Sequence, residues 1–84
     1  GNHKNFSSFY AKLEKNNFNI NAIKEFYYFE ANRWDIKLKD NRIIKLPETN
    51  YNKIIAELDL ILKDSNFLKY KIFDYRIKNQ LILQ

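Results

Sequence analysis

The stretch RWDIKLKDNRIIKLP, residues Arg33–Pro47, decides the fold. Trp34, Ile36 and Leu38 alternate with Arg33, Asp35, Lys37 and Lys39, the period-two pattern of a strand with one buried and one wet face. Asp40-Asn41 is the turn, because both residue types tolerate left-handed backbone angles. Arg42–Leu46 then returns with Ile44 and Leu46 in step, and Pro47, which has no ladder donor, ends the strand. Parity fixes the turn length. A two-residue turn would pair Lys39 with Arg42 and set Ile44 opposite Lys37, which puts Ile44 and Leu46 on the charged face, since cross-strand partners share a face. An odd loop returns them to the Trp34 face. A three-residue loop with Asn41 in the left-handed region is therefore expected.

The flanking segments supply further strands and two helices. Upstream, Phe6, Phe9, Tyr10 and Leu13 fall at i, i+3, i+4 and i+7, the stripe of an amphipathic helix. Asn5 is the expected N-cap and Asn16-Asn17 the expected stop. Ile23–Glu30 holds four consecutive aromatics and reads as a strand. Phe26 and Tyr28 face one side, Tyr27 and Phe29 the other, so it wants cover on both faces. Ala31-Asn32 is a turn. Downstream, Tyr51, Ile54, Ile55, Leu58, Ile61 and Leu62 give a second helix within Thr49–Asp64, with Thr49 or Asn50 as cap and Asp64-Ser65-Asn66 as exit. A strand is expected within Phe67–Ile77, with Phe73, Tyr75 and Ile77 on one face and Ile72, Asp74 and Arg76 on the other. Lys78-Asn79 is a turn, and Leu81-Ile82-Leu83 is a short last strand at the sheet edge, with one row of backbone groups unpaired. The fold class is α+β: an antiparallel sheet with two packed helices, forming a single domain over residues 1–84.

Composition removes many functions. The chain has 84 residues, 45% of them apolar, with one Gly, one Pro, one His and no Cys. Disulfide scaffolds and Cys zinc sites are excluded, a phosphate loop needs more than one Gly, and no apolar run reaches the roughly 18–20 residues that span a bilayer. Carboxylate pairs such as Asp35 with Asp40 or Glu57 with Asp59 sit among lysines on solvated positions, away from the burial that raises a catalytic pKa. Ser7 and Ser8 lie near a helix start, where capping is their ordinary role. No catalytic, metal or cofactor site is expected. The net charge of +5 is spread along the chain, and its cations are 12 Lys against 3 Arg. Arg is the residue favoured for bidentate phosphate and base contacts, so a solvated basic surface is favoured over a nucleic-acid footprint. The aromatics and lysines of Lys24–Arg33 leave a single-stranded nucleic-acid-binding module as the alternative.

Arg33-Trp34-Asp35-Ile36-Lys37-Leu38, Asp40-Asn41, and Ile44-Lys45-Leu46-Pro47-Glu48 together resemble the C-terminal β domain of the FtsQ/DivIB family of bacterial cell-division proteins. That family has an R-W-D strand, an Asp-Gly or Asn-Gly turn and a strand ending in L-P-E. The helix at Tyr51–Leu62 follows where the family has one. Phe73-Asp74-Tyr75-Arg76 matches its apolar-Asp-apolar-Arg strand, and Lys78–Leu83 its short turn and closing strand. Gly1 and the helix Phe6–Leu13 sit where the family has a Gly-containing loop and a helix. Asn41 stands where the family usually has Gly, a mild change because Asn tolerates the same angles. Ile77-Lys78 falls in a segment that varies.

The resemblance implies a non-enzymatic divisome scaffold supporting septum formation, with no cofactor and no nucleic acid. It implies a full-length protein anchored in the inner membrane by one helix, with a POTRA domain and this domain in the periplasm. The anchor, the POTRA domain and the first strands of the β domain are expected to be absent from this chain. The implied partners are FtsB- and FtsL-like proteins, docking by strand addition at the last strand and the one before it. The expected contact residues are Asp74, Tyr75, Arg76, Ile77, Lys78, Leu81, Ile82 and Leu83, with Arg76 holding an acidic side chain of the partner. Within the chain alone, Arg76 has a second use, an ion pair with Asp74. A homodimer through the same edge is the other pairing open to it.

Overall fold

The computed structural model describes residues 3–30 and 32–84, so Gly1 and Ala31, named above, lie outside the described residues. The central hairpin forms as parity requires. Ile36 pairs with Ile44 and Lys37 with Ile43, and Leu38 N–H donates to Arg42 O at 2.8 Å. Lys39, Asp40 and Asn41 are the three loop residues, with Asn41 at φ 74° and Asp40 Oδ1 accepting from the Arg42 N–H at 3.1 Å. This is a turn closed by one left-handed residue. It leaves Ile36 and Ile44 side by side with no exposed surface at all.

The elements are α1 (His3–Lys15), β1 (Ile23–Phe29), β2 (Arg33–Leu38), β3 (Ile43–Lys45), α2 (Asn52–Lys63), β4 (Ile72–Asp74) and β5 (Ile82–Leu83), with short 3-10 turns at Ile20–Ala22 and Ser65–Phe67. The sheet order is β1-β2-β3-β4-β5. The α+β class is as expected, with one difference inside the sheet: β3 and β4 are parallel, Ile44 opposite Phe73. The reason is topological. A tight turn can only reverse a strand, whereas the α2 crossover carries the chain back to the starting end.

One sheet face carries the core. Phe26 and Tyr28, Trp34, Ile36 and Leu38, Ile44, and Phe73 lie on it, packed with Phe9 and Leu13 of α1 and Ile55, Leu58 and Leu62 of α2. Trp34 is the hub. It stacks on Phe9 at 4.9 Å and 3°, and Phe6, Phe26 and Tyr28 pack around it at 5.8, 6.3 and 4.9 Å. A register shift between Ile23 and Glu25 inserts Lys24 as an extra residue, which keeps Ile23 on the core side. On the opposite face Tyr27 and Phe29 are exposed. The strand that wanted cover on both faces has it on one among the described residues.

Three local expectations are corrected. Asn5 is not the N-cap of the first helix. It lies inside α1, and its amide donates to the Tyr28 hydroxyl at 3.1 Å, which in turn donates to Asn32 Oδ1 at 2.7 Å. Ser7 and Ser8 are likewise inside α1 and exposed. Neither Thr49 nor Asn50 caps α2. Asn50 has φ 59°, and the helix begins after Tyr51 with no side-chain cap bond. Finally, β4 ends at Asp74, and Ile77 is exposed where continued alternation would bury it. The helix stop, by contrast, is as read. Asn17 at φ 58° closes α1 with Phe18 N–H to Leu13 O and Asn17 N–H to Glu14 O, both 3.0 Å. This is a Schellman motif with Asn in the place of Gly.

Trp34→Ala should lower stability by about 3–5 kcal/mol in a denaturant melt, since a large ring is removed from a packed core. Asn41→Ala should cost roughly 1 kcal/mol, while Asn41→Gly should leave the midpoint unchanged or raise it, because only the former puts a Cβ without local hydrogen bonding at a left-handed angle.

Candidate partner-docking edge

β5 ends the sheet order, so its flank away from β4 is unpaired among the described residues. Which groups face that flank follows from the ladder. Gln84 N–H donates to Ile72 O at 3.1 Å, and Gln84 O accepts from Ile72 N–H at 3.1 Å and Lys71 N–H at 2.7 Å. Gln84 is therefore turned inward. Partners along β4 and β5 are Phe73 with Leu83 and Asp74 with Ile82. Alternation then directs the Leu83 N–H and C=O outward. Leu83 is half-buried by its side chain, which packs against the core, so its position is held while its backbone groups stay free. β1 closes the other end of the sheet order, and its outer flank is likewise unpaired among the described residues.

The expected contact residues divide by face. Asp74 and its cross-strand neighbour Ile82 lie on the face without helices. There Asp35 pairs across to Lys45, and Lys45 to Asp74, an alternating row of charges that is favourable between neighbouring strands. Arg33 bonds Asp35 at one end of the row. Arg76 bonds Asp74 at the other, with Nε to Oδ1 at 2.9 Å and Nη2 to Oδ2 at 2.7 Å, and its backbone N–H adds a third bond at 3.0 Å. The Arg76 hydrogen bonds hold the Asp74 carboxyl below its usual range, with Lys45 adding to the effect, and Asp74 in turn raises the guanidinium. The ion pair within the chain is thus formed. It occupies two of the five guanidinium N–H donors, and the Arg76 side chain is 46% exposed, so the remaining donors face solvent.

Tyr75, Leu81 and Leu83 belong to the helix-covered side. Beyond β4 the chain turns through Ile77–Gln80, closed by Gln80 N–H to Ile77 O at 3.0 Å with Asn79 at φ 60°. The Lys78-Asn79 turn is where the sequence places it. Between this hairpin and the start of α2 lies an open groove of about 840 Å³. Tyr75, Arg76, Ile77, Lys78 and Leu81 form one wall, and Glu48, Lys53, Ile54 and Glu57 stand opposite. Tyr75 is 6% exposed, and its hydroxyl oxygen is buried with no hydrogen-bond partner. Burial, with Glu57 nearby, pushes that hydroxyl up to about 12. An unpaired buried hydroxyl costs on the order of 1–3 kcal/mol. Lys53 was not singled out in the sequence, and Glu57 only as a solvated carboxylate beside Asp59, since on α2 both belong to its polar side. The available signal was a tyrosine at a core-facing position beside Phe73.

Among the described residues no cluster of three or more His, Cys, Asp or Glu could hold a metal ion, and no helix is long and apolar enough to cross a membrane.

Comparison with known proteins bears out the family resemblance. A 54-residue stretch is 35% identical to the cell division protein FtsQ of Rickettsia conorii, covering 62% of this chain and 20% of that protein. The cell division protein FtsQ of Rickettsia typhi matches at the same identity and the same coverage. The chain is FtsQ-like, and the matched stretch spans about a fifth of the length of these relatives. No family model matches, and no solved structure matches.

The Asp74 carboxyl, followed by NMR, should titrate below the ordinary carboxylate range and return toward it in Arg76→Gln. The sign follows from linkage. A depressed folded pKa stabilises above the unfolded value of about 4 and loses that contribution as pH falls through the folded value. Arg76→Gln should therefore lose less stability than the parent on acidification below about pH 4.

Proposed function

We propose that this domain is a non-enzymatic docking module of an FtsQ-like division protein, which binds FtsB- and FtsL-like partners by adding their strand to β5 in support of septum formation. The single observation that carries this is the outward-facing backbone of Leu83 on β5, one of the two end strands of the sheet. Main-chain bonds supply affinity there, and alternating side chains supply specificity. Ile82, on the open face beside Asp74, and Leu83, on the core side, set the two faces a partner strand would match. Arg76, with donors left over from Asp74, holds an acidic side chain of the partner, as a guanidinium can serve more than one carboxylate oxygen. By the likeness to FtsQ, the intact protein sits in the inner membrane with this domain on the periplasmic side.

The open face also bears on the alternative. Its arginines are each committed to an aspartate, and Arg33 stacks over Phe29 with its guanidinium 4.2 Å from the ring centre. Paired cations of this kind leave little net charge for phosphate, which supports a protein partner over single-stranded nucleic acid.

Leu83→Pro removes the outward N–H while sparing the inward ladder, a change that edge strands tolerate. Titrated against an FtsB-like periplasmic segment from the same organism, at a temperature where circular dichroism shows the variant folded because the core-packed Leu83 side chain is also lost, it should weaken binding by about 1–2 kcal/mol, and Arg76→Ala should weaken it by about 1–3 kcal/mol. Unchanged affinity in Leu83→Pro, or affinity that falls steeply with salt as phosphate binding does, would exclude strand addition.

A further inference from the structure

The basic residues are spread along the sequence, yet the fold gathers several of them at one end of the sheet. Lys39 N–H donates to Ala22 O at 2.9 Å, and Ile43 N–H donates to Lys71 O at 2.8 Å. The entry to β1, the exit from β2 and the entries to β3 and β4 therefore lie side by side, and Lys24, Lys39 and Lys71 form a row along that end. Neighbouring strands are about 4.8 Å apart, so the row spans roughly 14 Å across four strands. Arg42 Nη1 donates to Leu62 O at 3.0 Å, which brings the last turn of α2, and with it the connection 64–71, to the same end. The acids there are engaged. Asp40 is bonded to Arg42 and Asp59 to Lys63, and Asp64 accepts from the Asn66 N–H at 2.9 Å. Lys24, Lys39, Lys69 and Lys71 are exposed and belong to none of the ion pairs formed among the described residues. Their neighbours in the connection are apolar. Phe67 and Tyr70 pack against the core, while Leu68 is 54% exposed.

We propose that this end of the domain rests on an anionic lipid surface, with Lys24, Lys39, Lys69 and Lys71 meeting lipid phosphates and Leu68 entering the headgroup layer. The inference takes its inner-membrane setting from the function proposed above and adds a contact that strand addition does not supply. The chemistry favours lipid over nucleic acid. Lysine ammoniums are mobile point charges, suited to a fluid array of phosphates, whereas fixed bidentate contacts call for a guanidinium. Arg33, Arg42 and Arg76 are each held by an aspartate. Base stacking needs aromatic faces beside the cations, and the exposed aromatics of β1, Tyr27 and Phe29, lie toward the other end of that strand. A basic surface carrying an exposed aliphatic side chain is the pattern of interfacial contact, where charge attraction and apolar burial add. Each lysine near an anionic bilayer multiplies affinity roughly five-fold.

The test is co-sedimentation of the whole chain with vesicles of phosphatidylcholine, alone or mixed with an equal part of phosphatidylglycerol, at about 0.1 M salt. The chain should bind the anionic vesicles and not the neutral ones. Lys69→Gln with Lys71→Gln should weaken binding about 10- to 30-fold, and Leu68→Ser alone about 3-fold. Lys53→Gln with Lys78→Gln is the matched change in net charge. Lys53 lies roughly 15 Å back along α2 from Lys63, beyond the screening length of about 10 Å, so that pair should change binding by less than about 2-fold. In the parent chain, spin-labelled lipid should broaden the Leu68 and Lys69 amide signals and spare those of Lys53 and Lys78. No binding to anionic vesicles, equal binding to neutral ones, equal losses in the two lysine pairs, or broadening at Lys53 and Lys78 in place of Leu68 would overturn the inference. Tighter binding of a single-stranded oligonucleotide, lost in the Lys69 and Lys71 pair, would assign the patch to nucleic acid instead. Strand addition is read separately, by titrating the FtsB-like segment without vesicles. Segment binding without vesicle binding overturns the lipid contact alone, and vesicle binding without segment binding overturns strand addition alone.

Discussion

The register of one hairpin governs the rest of this structure. The loop Lys39–Asn41 holds three residues, and Asn41 sits at φ 74°. Ile36 therefore faces Ile44 on the core side. A slip of one residue would move Ile44 to the charged face and bring Lys45 under the helices. The consequences propagate along the sheet. β3 is the template on which β4 lies parallel, with Phe73 beside Ile44, and β4 is the template for β5. The inward turn of Gln84 and the outward turn of Leu83 thus trace back, strand by strand, to an odd-numbered turn some forty residues earlier in the sequence.

Asparagine performs the work usually given to glycine. Asn17, Asn32, Asn41, Asn50 and Asn79 all have positive φ, in a chain with one Gly. Asn accepts this region because its short polar side chain bonds locally, and each of these residues closes a helix or falls in a turn or loop. The abundance of Asn in the sequence is partly structural.

Much of the architecture was legible because its signals are local or periodic. The alternation of Trp34, Ile36 and Leu38, the parity of the turn and the Schellman stop at Asn17 each depend on a few neighbouring residues. The errors have a common cause, which is that tertiary partners override local preference. Asn5 has the chemistry of a cap, but it is used to tie α1 to the β1–β2 connection through Tyr28 and Asn32. β4 has the pattern of a longer strand, but the chain leaves the sheet after Asp74, and Ile77 goes with it into the hairpin wall. The parallel pairing of β3 and β4 is a long-range property that no spacing encodes. At the candidate site, the sequence located the edge strand and the Asp74–Arg76 pair. It did not reveal that these residues divide between two faces, or that a groove lies between the β4–β5 hairpin and the start of α2, because both depend on how the hairpin packs against a helix roughly twenty residues away in the chain.

The open flank of β5 is the claim on which the functional account stands, and backbone amide hydrogen exchange at Leu83 tests it most directly. In the free domain the Leu83 amide should exchange fast while that of Gln84, bonded to Ile72, is protected. On saturation with the FtsB-like segment, Leu83 should become protected and Gln84 should stay so. Slow exchange at Leu83 in the free domain, or fast exchange at Leu83 in the complex, would contradict the account.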